Sequence, residues 1–211
     1  MNNETLKEKR RNRNKEEIVN CAEKVFFKRG YNEATMEEIA VEAGYTKKTL
    51  YNYFSSKEEI YACIAERGYD ILAKMSLEAL KKYEESSEIE KIKKLAYVFL
   101  EYQSNYSGYY TATFEYTGRP LVSQEKEQSS LLILKECVNK AIENGEIVYD
   151  DATALTLFFW SAMVGIVNTF IKKREYIEEY INKNVDDIIE EGINLIIKSV
   201  ERKDDKLWRK F

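Results

Sequence analysis

The chain has 211 residues, and its 33 Lys and Arg against 37 Asp and Glu give a net charge of −4. A hydrophobic fraction of 44% is enough to build a folded core, and a single proline with eight glycines favours long helices over short strands joined by turns. The sequence contains no histidine, which excludes Ser-His-Asp and Cys-His nucleophiles and zinc sites that use histidine.

The remaining polar residues form no pattern typical of a catalytic or metal site. The cysteines, Cys21, Cys63 and Cys137, are far apart and odd in number, which is typical of buried thiols in a reducing compartment. The charged N-terminus lacks the apolar stretch of a signal peptide, so we expect a cytoplasmic protein. Acidic pairs such as Glu58-Glu59 lie at helix starts, and no Gly-rich phosphate loop occurs. We therefore predict no enzymatic activity, no catalytic residue, no metal and no cofactor.

Residues 1–15 carry six basic side chains against two acidic ones, and this charge predicts a disordered basic arm. The basic residues of the arm are Lys7, Lys9, Arg10, Arg11, Arg13 and Lys15. A helix follows over residues 16–29, because apolar residues recur there at helical spacing, and Gly30 suits its C-terminal end.

Two short helices separated by a glycine turn come next. Thr35-Met36-Glu37-Glu38 predicts a capping box, in which the threonine hydroxyl and the last glutamate exchange hydrogen bonds with backbone N–H groups. Gly44 ends this helix, and Thr46 caps the next one, Lys47–Tyr53. The pair has the sequence shape of a helix-turn-helix.

The rest of the chain also has helical periodicity, which predicts an all-α protein of about nine helices. A second capping box, Ser56-Lys57-Glu58-Glu59, opens a long helix that runs to about Tyr83. The later predicted elements are helices over Ile89–Tyr106, Tyr109–Tyr116, Ser123–Asn144, 152–171 and 185–202, with a loop at Gly118-Arg119-Pro120.

One of these helices raises the question of a membrane. The twenty residues from Ala152 to Ile171 carry no charge, and twenty uncharged residues are enough to cross a bilayer. The run contains five Ser, Thr and Asn residues, so we favour a helix that is buried by its own domain and by a partner chain, and we predict no membrane partner.

The stretch 15–62 contains a pattern more specific than a lone helix-turn-helix. Its residues are Ala22, Phe26, Gly30, Thr35, Ile39, Ala40, Ala43, Gly44, Thr46, Thr49, Leu50, Tyr51, Tyr53, Phe54, Ser56, Lys57, Glu58 and Glu59. In these residues, and above all in the block AVEAGYTKKTLYNYFSSKEEI, the sequence resembles the tetracycline-repressor (TetR) family of one-component bacterial regulators.

The resemblance implies an N-terminal three-helix DNA-binding domain, residues 1–60, and a larger C-terminal helical domain for ligand binding and dimerisation, residues 61–211. It also implies a homodimer that binds a palindromic operator in double-stranded DNA and releases it when a small-molecule effector binds. We therefore predict a ligand-responsive transcriptional repressor. The alternative is a ligand-independent or activating regulator of the same fold.

The second short helix offers the polar face that a recognition helix needs in the major groove. Lysine donates to guanine and asparagine pairs with adenine, whereas helix N-termini and tyrosine hydroxyls bind phosphate. Lys57 matches the phosphate-binding lysine of the family, whereas Asn52 departs from its usual histidine or tyrosine. The predicted DNA-contacting residues are Thr35, Thr46, Lys47, Lys48, Thr49, Tyr51, Asn52, Tyr53 and Lys57. The sequence leaves open whether the basic arm contacts DNA.

The uncharged helix and the last helix are the candidates for a dimer interface. The last helix has an apolar stripe at i, i+3, i+4 and i+7, and Ser161 and Gly165 let two helices approach closely. The predicted interface residues are Phe158, Ser161, Ala162, Gly165, Ile188, Ile189, Gly192, Ile193 and Ile196.

Aromatic residues concentrate between positions 97 and 116 and again at 158–160. Aromatic and apolar walls with a few polar groups are typical of pockets for small organic ligands, although a tyrosine stripe at helical spacing also fits an ordinary core. The predicted pocket residues are Tyr97, Glu101, Tyr102, Tyr106, Tyr110, Phe114, Phe159 and Met163.

Overall fold

The computed structural model describes residues 5–116 and 124–201, and the regular elements in this part of the chain are all helices, which confirms the all-α prediction. The α-helices are α1 (Leu6–Glu33), α2 (Met36–Glu42), α3 (Lys47–Tyr51), α4 (Lys57–Lys82), α5 (Glu88–Asn105), α6 (Ser107–Tyr110), α7 (Gln124–Glu143), α8 (Ala152–Ile166), α9 (Arg174–Ile181) and α10 (Val185–Val200).

The described residues thus hold ten α-helices, one more than predicted, because α9 was not expected between the last two predicted helices. Two π-helical segments, Thr111–Glu115 and Val167–Ile171, continue α6 and α8. The predicted loop 118–120 and the predicted helix start at Ser123 lie outside the described residues.

The first helix starts much earlier than the sequence suggested. Thr5 caps α1, because its hydroxyl accepts from the Glu8 N–H at 3.3 Å and the Glu8 carboxylate accepts from the Thr5 N–H at 2.7 Å. The prediction of a disordered arm is therefore wrong for residues 6–15, which are helical. The capping box and an Arg13–Glu17 ion pair one turn apart stabilise these turns against the repulsion among their positive charges.

The described chain forms two compact units that differ from the contiguous division predicted at residue 60. The first unit joins the chain up to Tyr69 with the segment that begins at Tyr106, and the second contains Asp70–Asn105 and the chain from Glu127 onward. The segment from Tyr106 belongs to the first unit because α6 packs on α1, where the Tyr109 ring meets the Phe27 ring at 5.1 Å.

In the first unit, α1–α4 enclose a core that also receives Ala112 from the π-helical segment. Tyr31, Tyr61 and Tyr116 form an aromatic cluster beside it, with ring centroids 4.6–5.0 Å apart. The core residues are Ile18, Val19, Ala22, Phe26, Ala34, Met36, Ile39, Ala40, Leu50, Phe54, Ile60, Tyr61, Ile64, Ala65 and Ala112.

Polar contacts also hold this first unit together. The Arg67 guanidinium of α4 donates to Asn20 and Glu23 of α1, at 2.7 Å each, and pairs with Glu16. The Tyr109 hydroxyl donates to the same Glu23 carboxylate at 2.9 Å. Because α1, α4 and α6 all meet at these groups, their positions within the first unit are coupled.

The second unit is built around the packing of α10 on α5 and α9. The buried members of the α10 stripe include Ile189, Ile193 and Ile197, which are 2–8% exposed. A second part of the core joins α5, α7 and α8 through Ile92, Leu95, Cys137, Val138, Ala141, Ile147, Leu155 and Phe159.

One helix of the second unit is unusually apolar. Among the described residues, the span Ala152–Ile171 is long and apolar enough to cross a membrane, with a mean hydropathy of 1.8, and 33% of it is buried. A single span of this kind is weak evidence for a membrane, because the core helix of a soluble protein has the same length and composition.

Candidate functional site

The turn between α2 and α3 sets the direction of the predicted recognition helix. Gly44 has a φ of +71°, a left-handed conformation that suits glycine, and the next N–H, from Tyr45, bonds back to the Ala40 carbonyl at 2.8 Å. Thr46 then caps α3 by accepting from the Thr49 N–H at 3.1 Å. The helix-turn-helix predicted here is therefore formed, with both of its capping threonines in place.

Leu50 anchors α3, since it is 0% exposed, and this fixes which residues face outward. Lys48, Tyr51 and Asn52 are exposed, and 46% of Tyr51 is accessible. Thr49 is half-buried, and its hydroxyl lies 2.9 Å from that of Thr46. The structure thus brings the predicted DNA-contacting residues of α3 together on one accessible surface.

Lys47, at the start of α3, is exposed but already paired. Its ammonium binds the Glu37 carboxylate of α2. This hydrogen bond raises the pKa of Lys47 and lowers the pKa of Glu37, so the pair is charged near neutrality. Glu37 places a negative charge beside the basic face of α3, which weakens its attraction for phosphate.

The C-terminal end of α3 contacts the first turns of α1. Arg11 donates to the Asn52 carbonyl at 3.1 Å, and its guanidinium lies 5.7 Å from the centroid of the Tyr53 ring. Asn14 donates its amide N–H to the Tyr53 hydroxyl at 2.9 Å. The sequence prediction missed these contacts because it took the arm as disordered, although the Thr5-x-x-Glu8 capping box was readable in the sequence.

Lys57 is half-buried and caps the end of α1. Its ammonium donates to the carbonyls of Tyr31, Asn32 and Ala34 at 2.7, 3.4 and 2.9 Å, and it lies 4.4 Å from the centroid of the Tyr31 ring. A cation at the C-terminal end of a helix also interacts well with its dipole. In this structure the charge of Lys57 is therefore directed at protein carbonyls.

The remaining polar residues near the helix-turn-helix mostly serve as caps. Thr35 forms the predicted capping box of α2, with the Glu38 carboxylate accepting from the Thr35 N–H at 3.1 Å. At the start of α4 the box differs from the prediction. Ser56 accepts from the Glu59 N–H at 3.3 Å, but the Glu59 carboxylate accepts from the N–H of Ser55 at 2.7 Å.

The second unit contains an apolar cavity of about 80 Å³. It lies between α4, α5, α7, α8 and α10, and among the described residues its polar side-chain groups are the hydroxyls of Ser76 and Ser130 and the indole N–H of Trp160. Ser76 is buried and donates to the Leu72 carbonyl at 2.8 Å, so its hydroxyl is already satisfied. The lining residues are Leu72, Ser76, Ile92, Leu95, Ala96, Phe99, Ser130, Leu131, Leu134, Phe159, Trp160, Met163, Ile193, Ile196 and Ile197.

The cavity includes two of the eight residues predicted for a pocket, Phe159 and Met163. Tyr106, Tyr110 and Phe114 belong to the first unit. Tyr102 is fully buried, Tyr97 is half-buried and Glu101 is exposed, and none of the three lines the cavity. The aliphatic lining was missed because its residues come from five helices far apart in sequence.

The predicted interface residues separate into three groups by their exposure. Ile189 and Ile193 are buried in the core of their own unit, and Ile193 and Ile196 line the cavity, so the α10 stripe faces inward. Of the predicted residues on α8, three are exposed, namely Phe158, Ser161 and Gly165. The half-buried members of the predicted set are Ala162, Ile188, Gly192 and Ile196.

Other exposed apolar residues extend the outward face of α8. Leu157, Phe158 and Trp160 are 44%, 56% and 39% exposed. Large apolar side chains concentrated in this way are typical of an interaction surface. Leu157 and Trp160 were not among the residues predicted for the interface.

The helix-turn-helix segment matches a known family model. Residues 18–64 match the model for bacterial regulatory proteins of the tetR family. The matched residues extend from the middle of α1 into α4, so they include the whole of α2 and α3.

Two curated relatives match the same part of the chain. The HTH-type transcriptional activator FasR of Mycolicibacterium smegmatis is 42% identical over 65 residues, which are 31% of this chain and 30% of FasR. The HTH-type transcriptional repressor BepR of Brucella suis is 42% identical over 53 residues, which are 25% of each protein. The matched segment therefore spans less than a third of these relatives.

The similarity to solved structures covers most of the chain. The structure of the transcriptional regulator FadR from Bacillus subtilis in complex with stearoyl-CoA superimposes with a TM-score of 0.66 at 17% identity, covering 88% of this chain and 99% of FadR. At this identity the likeness concerns the fold. Over residues 18–64, which hold the helix-turn-helix, the chain is therefore similar to the tetR family of bacterial regulatory proteins.

Proposed function

We propose that the protein is a ligand-responsive transcriptional regulator, acting as a repressor that binds an operator in double-stranded DNA. The observation that carries this proposal is the exposed polar face of α3, with Lys48, Tyr51 and Asn52 held outward by a buried Leu50. An exposed polar face on the second helix of the pair is what a recognition helix presents to the major groove.

The groups on α3 divide into base-reading and phosphate-binding roles. Lys48 and Asn52 donate to base edges, whereas the Tyr51 hydroxyl and the N-terminal ends of α2 and α3 at Thr35 and Thr46 approach phosphates. Lys47, Thr49 and Tyr53 support the same surface. Lys57 reaches a phosphate only if its ammonium leaves the α1 carbonyls that it now binds.

The DNA-binding proposal is tested by selecting bound fragments from the genome of the source organism and measuring their affinity. Lys48→Ala should lower affinity for the selected operator by roughly 5-fold to 150-fold, since one base contact is worth about 1–3 kcal/mol, with a smaller loss on random DNA. An equal loss on both duplexes would contradict base reading, and a failure to enrich any fragment would contradict operator binding.

A homodimer through α8 explains the exposed apolar face of that helix. Two copies related by a twofold axis bury the same patch, which includes Phe158 and places Ser161 and Gly165 where backbones approach closely. A twofold dimer presents two recognition helices to successive major grooves of a palindromic site, about 34 Å apart. The same burial accounts for the uncharged span without a membrane.

The apolar cavity of the second unit is the proposed effector site. Its volume of about 80 Å³ and its aliphatic and aromatic walls suit a short uncharged apolar group. FadR of Bacillus subtilis, which shares the fold, binds stearoyl-CoA. We infer an effector with an apolar acyl or alkyl portion, whose polar portion stays outside the cavity.

Thermal melting with acyl-CoA thioesters of graded chain length tests the effector site, with free coenzyme A as the control. A ligand that binds only the folded state raises Tm, so short acyl chains should raise it and free coenzyme A should not. Ala96→Phe fills the cavity and should abolish the shift. Equal shifts with free coenzyme A, or an unchanged shift in the variant, would place the binding elsewhere.

The effector acts by favouring one of two dimer conformations. One conformation binds DNA and the other does not. An effector that has a higher affinity for the second conformation increases its population, to an extent set by the ratio of the two affinities. An effector that binds tightly but leaves operator affinity unchanged would contradict this mechanism. A ligand-independent or activating regulator of the same fold is the alternative, since the matched relatives include an activator and a repressor.

A further inference from the structure

The first turns of α1, which we call the arm helix and define as Leu6–Lys15, form a strongly basic cylinder outside the family match. The arm helix carries six Lys and Arg and a single acidic residue, Glu8, which is bound to Thr5 as part of the cap. We propose that the arm helix is a second DNA-contacting element, which binds the phosphate backbone beside the recognition helix through Lys7 and Arg10. The proposal rests on the proposed function.

The arm helix is attached at several points to the residues that directly follow the recognition helix, Asn52, Tyr53 and Phe54. Arg11 donates to the Asn52 carbonyl at 3.1 Å and lies 5.7 Å from the Tyr53 ring centroid, and Asn14 donates to the Tyr53 hydroxyl at 2.9 Å. One turn later, the Lys15 ammonium lies 4.9 Å from the centroid of a buried ring, Phe54. DNA that receives α3 in its groove is therefore brought close to the arm helix.

Arg11, Asn14 and Lys15 make these contacts, and we call their side of α1 the attached face. Helical spacing identifies the side chains that continue it toward the N-terminus. Lys7 precedes Arg11 by four residues and Arg10 precedes Asn14 by four, so all four lie on the same side of α1. Lys7 and Arg10 are exposed and make no ion pair within residues 5–116 and 124–201. Their charges are thus available to an anionic partner.

The partner is DNA phosphate because of where the face lies and how rigid it is. The attached face starts after the last residue of α3, whereas a recognition helix enters the groove with its N-terminal end. A helix that is already folded and held by hydrogen bonds also loses little conformational entropy on binding. Contacts of this kind position a protein and release counterions without reading sequence.

The chain offers a matched control on another face of the arm helix. Lys9 and Arg13 lie four residues apart and carry the same total charge as Lys7 and Arg10. Arg13 pairs with Glu17 at 3.9 Å, on the side of α1 away from the attached face. The double variants K7A/R10A and K9A/R13A therefore change net charge equally and differ in the face that they alter.

The experiment measures affinity of the full chain for a labelled mixed-sequence duplex of about 30 base pairs, at a series of KCl concentrations. A plot of log K against log salt falls with a negative slope, and each lost phosphate contact makes that slope shallower by about 0.9. The double variant K7A/R10A should therefore have a slope that is shallower than the wild-type slope by about 2. The slope of K9A/R13A should stay within about 0.5 of the wild-type slope. The variant K7R/R10K, which keeps both positive charges, should have the wild-type slope.

Both double variants place alanine on an exposed helix surface, so thermal melting should show that they fold like the wild type. An unchanged salt slope in K7A/R10A, or an equal change of slope in K9A/R13A, would contradict the proposed contact between the arm helix and DNA. Neither result would contradict the binding of duplex DNA by the protein. If the wild type binds no duplex and selects no genomic fragment, the proposed function fails first and the arm contact fails with it.

Discussion

The structure gives Lys57 a second role, besides the phosphate contact that was predicted from the sequence. The resemblance to the family assigned it to phosphate, whereas its ammonium donates to three carbonyls at the end of α1. A charge-assisted hydrogen bond to a partly buried group contributes about 1.5–3 kcal/mol. The residue therefore has a role in stability whether or not it also contacts DNA.

Replacing this lysine separates the two roles. Lys57→Met should lower the free energy of unfolding by about 1–3 kcal/mol in urea titrations, because the α1 carbonyls lose their donor. Lys48→Met, on exposed surface, should change it by less than about 0.5 kcal/mol. An unchanged urea midpoint with a salt slope lowered by about 1 would instead assign Lys57 to phosphate.

Glu37 offers a test of charge beside α3. Glu37→Gln frees the Lys47 ammonium and removes a negative charge, so affinity for duplex DNA should rise and its salt slope should steepen by about 1. Glu42→Gln is the matched control, because Glu42 lies on the same helix but pairs with Lys24 of α1 at 3.2 Å. A similar gain in both variants would indicate a general charge effect.

At the scale of elements, α6 depends on a close approach to α1. A Cβ on Gly108 would lie 2.6 Å from a ring atom of Phe27, so only glycine fits without movement of the ring. Gly108→Ala should lower the free energy of unfolding by about 1–3 kcal/mol, the usual cost of overpacking. Adding Phe27→Leu should recover part of the loss, and the absence of any loss in Gly108→Ala would show that the ring moves freely.

The exposed face of α8 is the element that carries the proposed dimer. Phe158→Arg places a charge on this patch and should shift sedimentation from dimer to monomer, because an unpaired charge in an apolar interface is unfavourable. Tyr176→Arg, on the exposed surface of α9, is the control and should stay dimeric. A wild type that sediments as a monomer would contradict the assignment of α8.

At the scale of the whole molecule, partly buried tyrosines make the folded state less stable at alkaline pH. Burial raises the pKa of Tyr61 to about 12, and burial with the Glu23 hydrogen bond raises the pKa of Tyr109 to about 12. Because these folded-state pKa values exceed the unfolded value near 10, the unfolded state loses its protons first as pH rises. The stabilisation is complete below pH 10 and is lost between about pH 10 and 12.

Melting temperatures recorded from pH 8 to pH 11 measure this effect. Tm should be nearly constant up to about pH 9.5 and then fall, together with a rise in tyrosinate absorbance on unfolding. Tyr61→Phe removes one of these ionisable hydroxyls but keeps the packing of the ring. Tm of this variant should therefore fall less steeply above about pH 9.5. The same steep fall in the variant would assign the effect to other groups.

Much of the fold and part of the site were predictable from local sequence. The capping box at Thr35, the cap at Thr46 and the turn at Gly44 depend on groups within four residues of each other, and the structure contains all three. The arm helix was predicted wrongly because charge alone was considered there, although a local cap at Thr5 was present in the sequence.

The sequence by itself determined the all-α class, the helix-turn-helix and the accessible residues of α3, because apolar periodicity and capping act over a few neighbouring residues. Only the tertiary structure decided which unit receives α6, where the Lys57 ammonium donates, and that Ile189 and Ile193 face inward. These features join residues that are far apart in the chain. Their partners are selected by packing and burial of the whole unit, which no local pattern specifies.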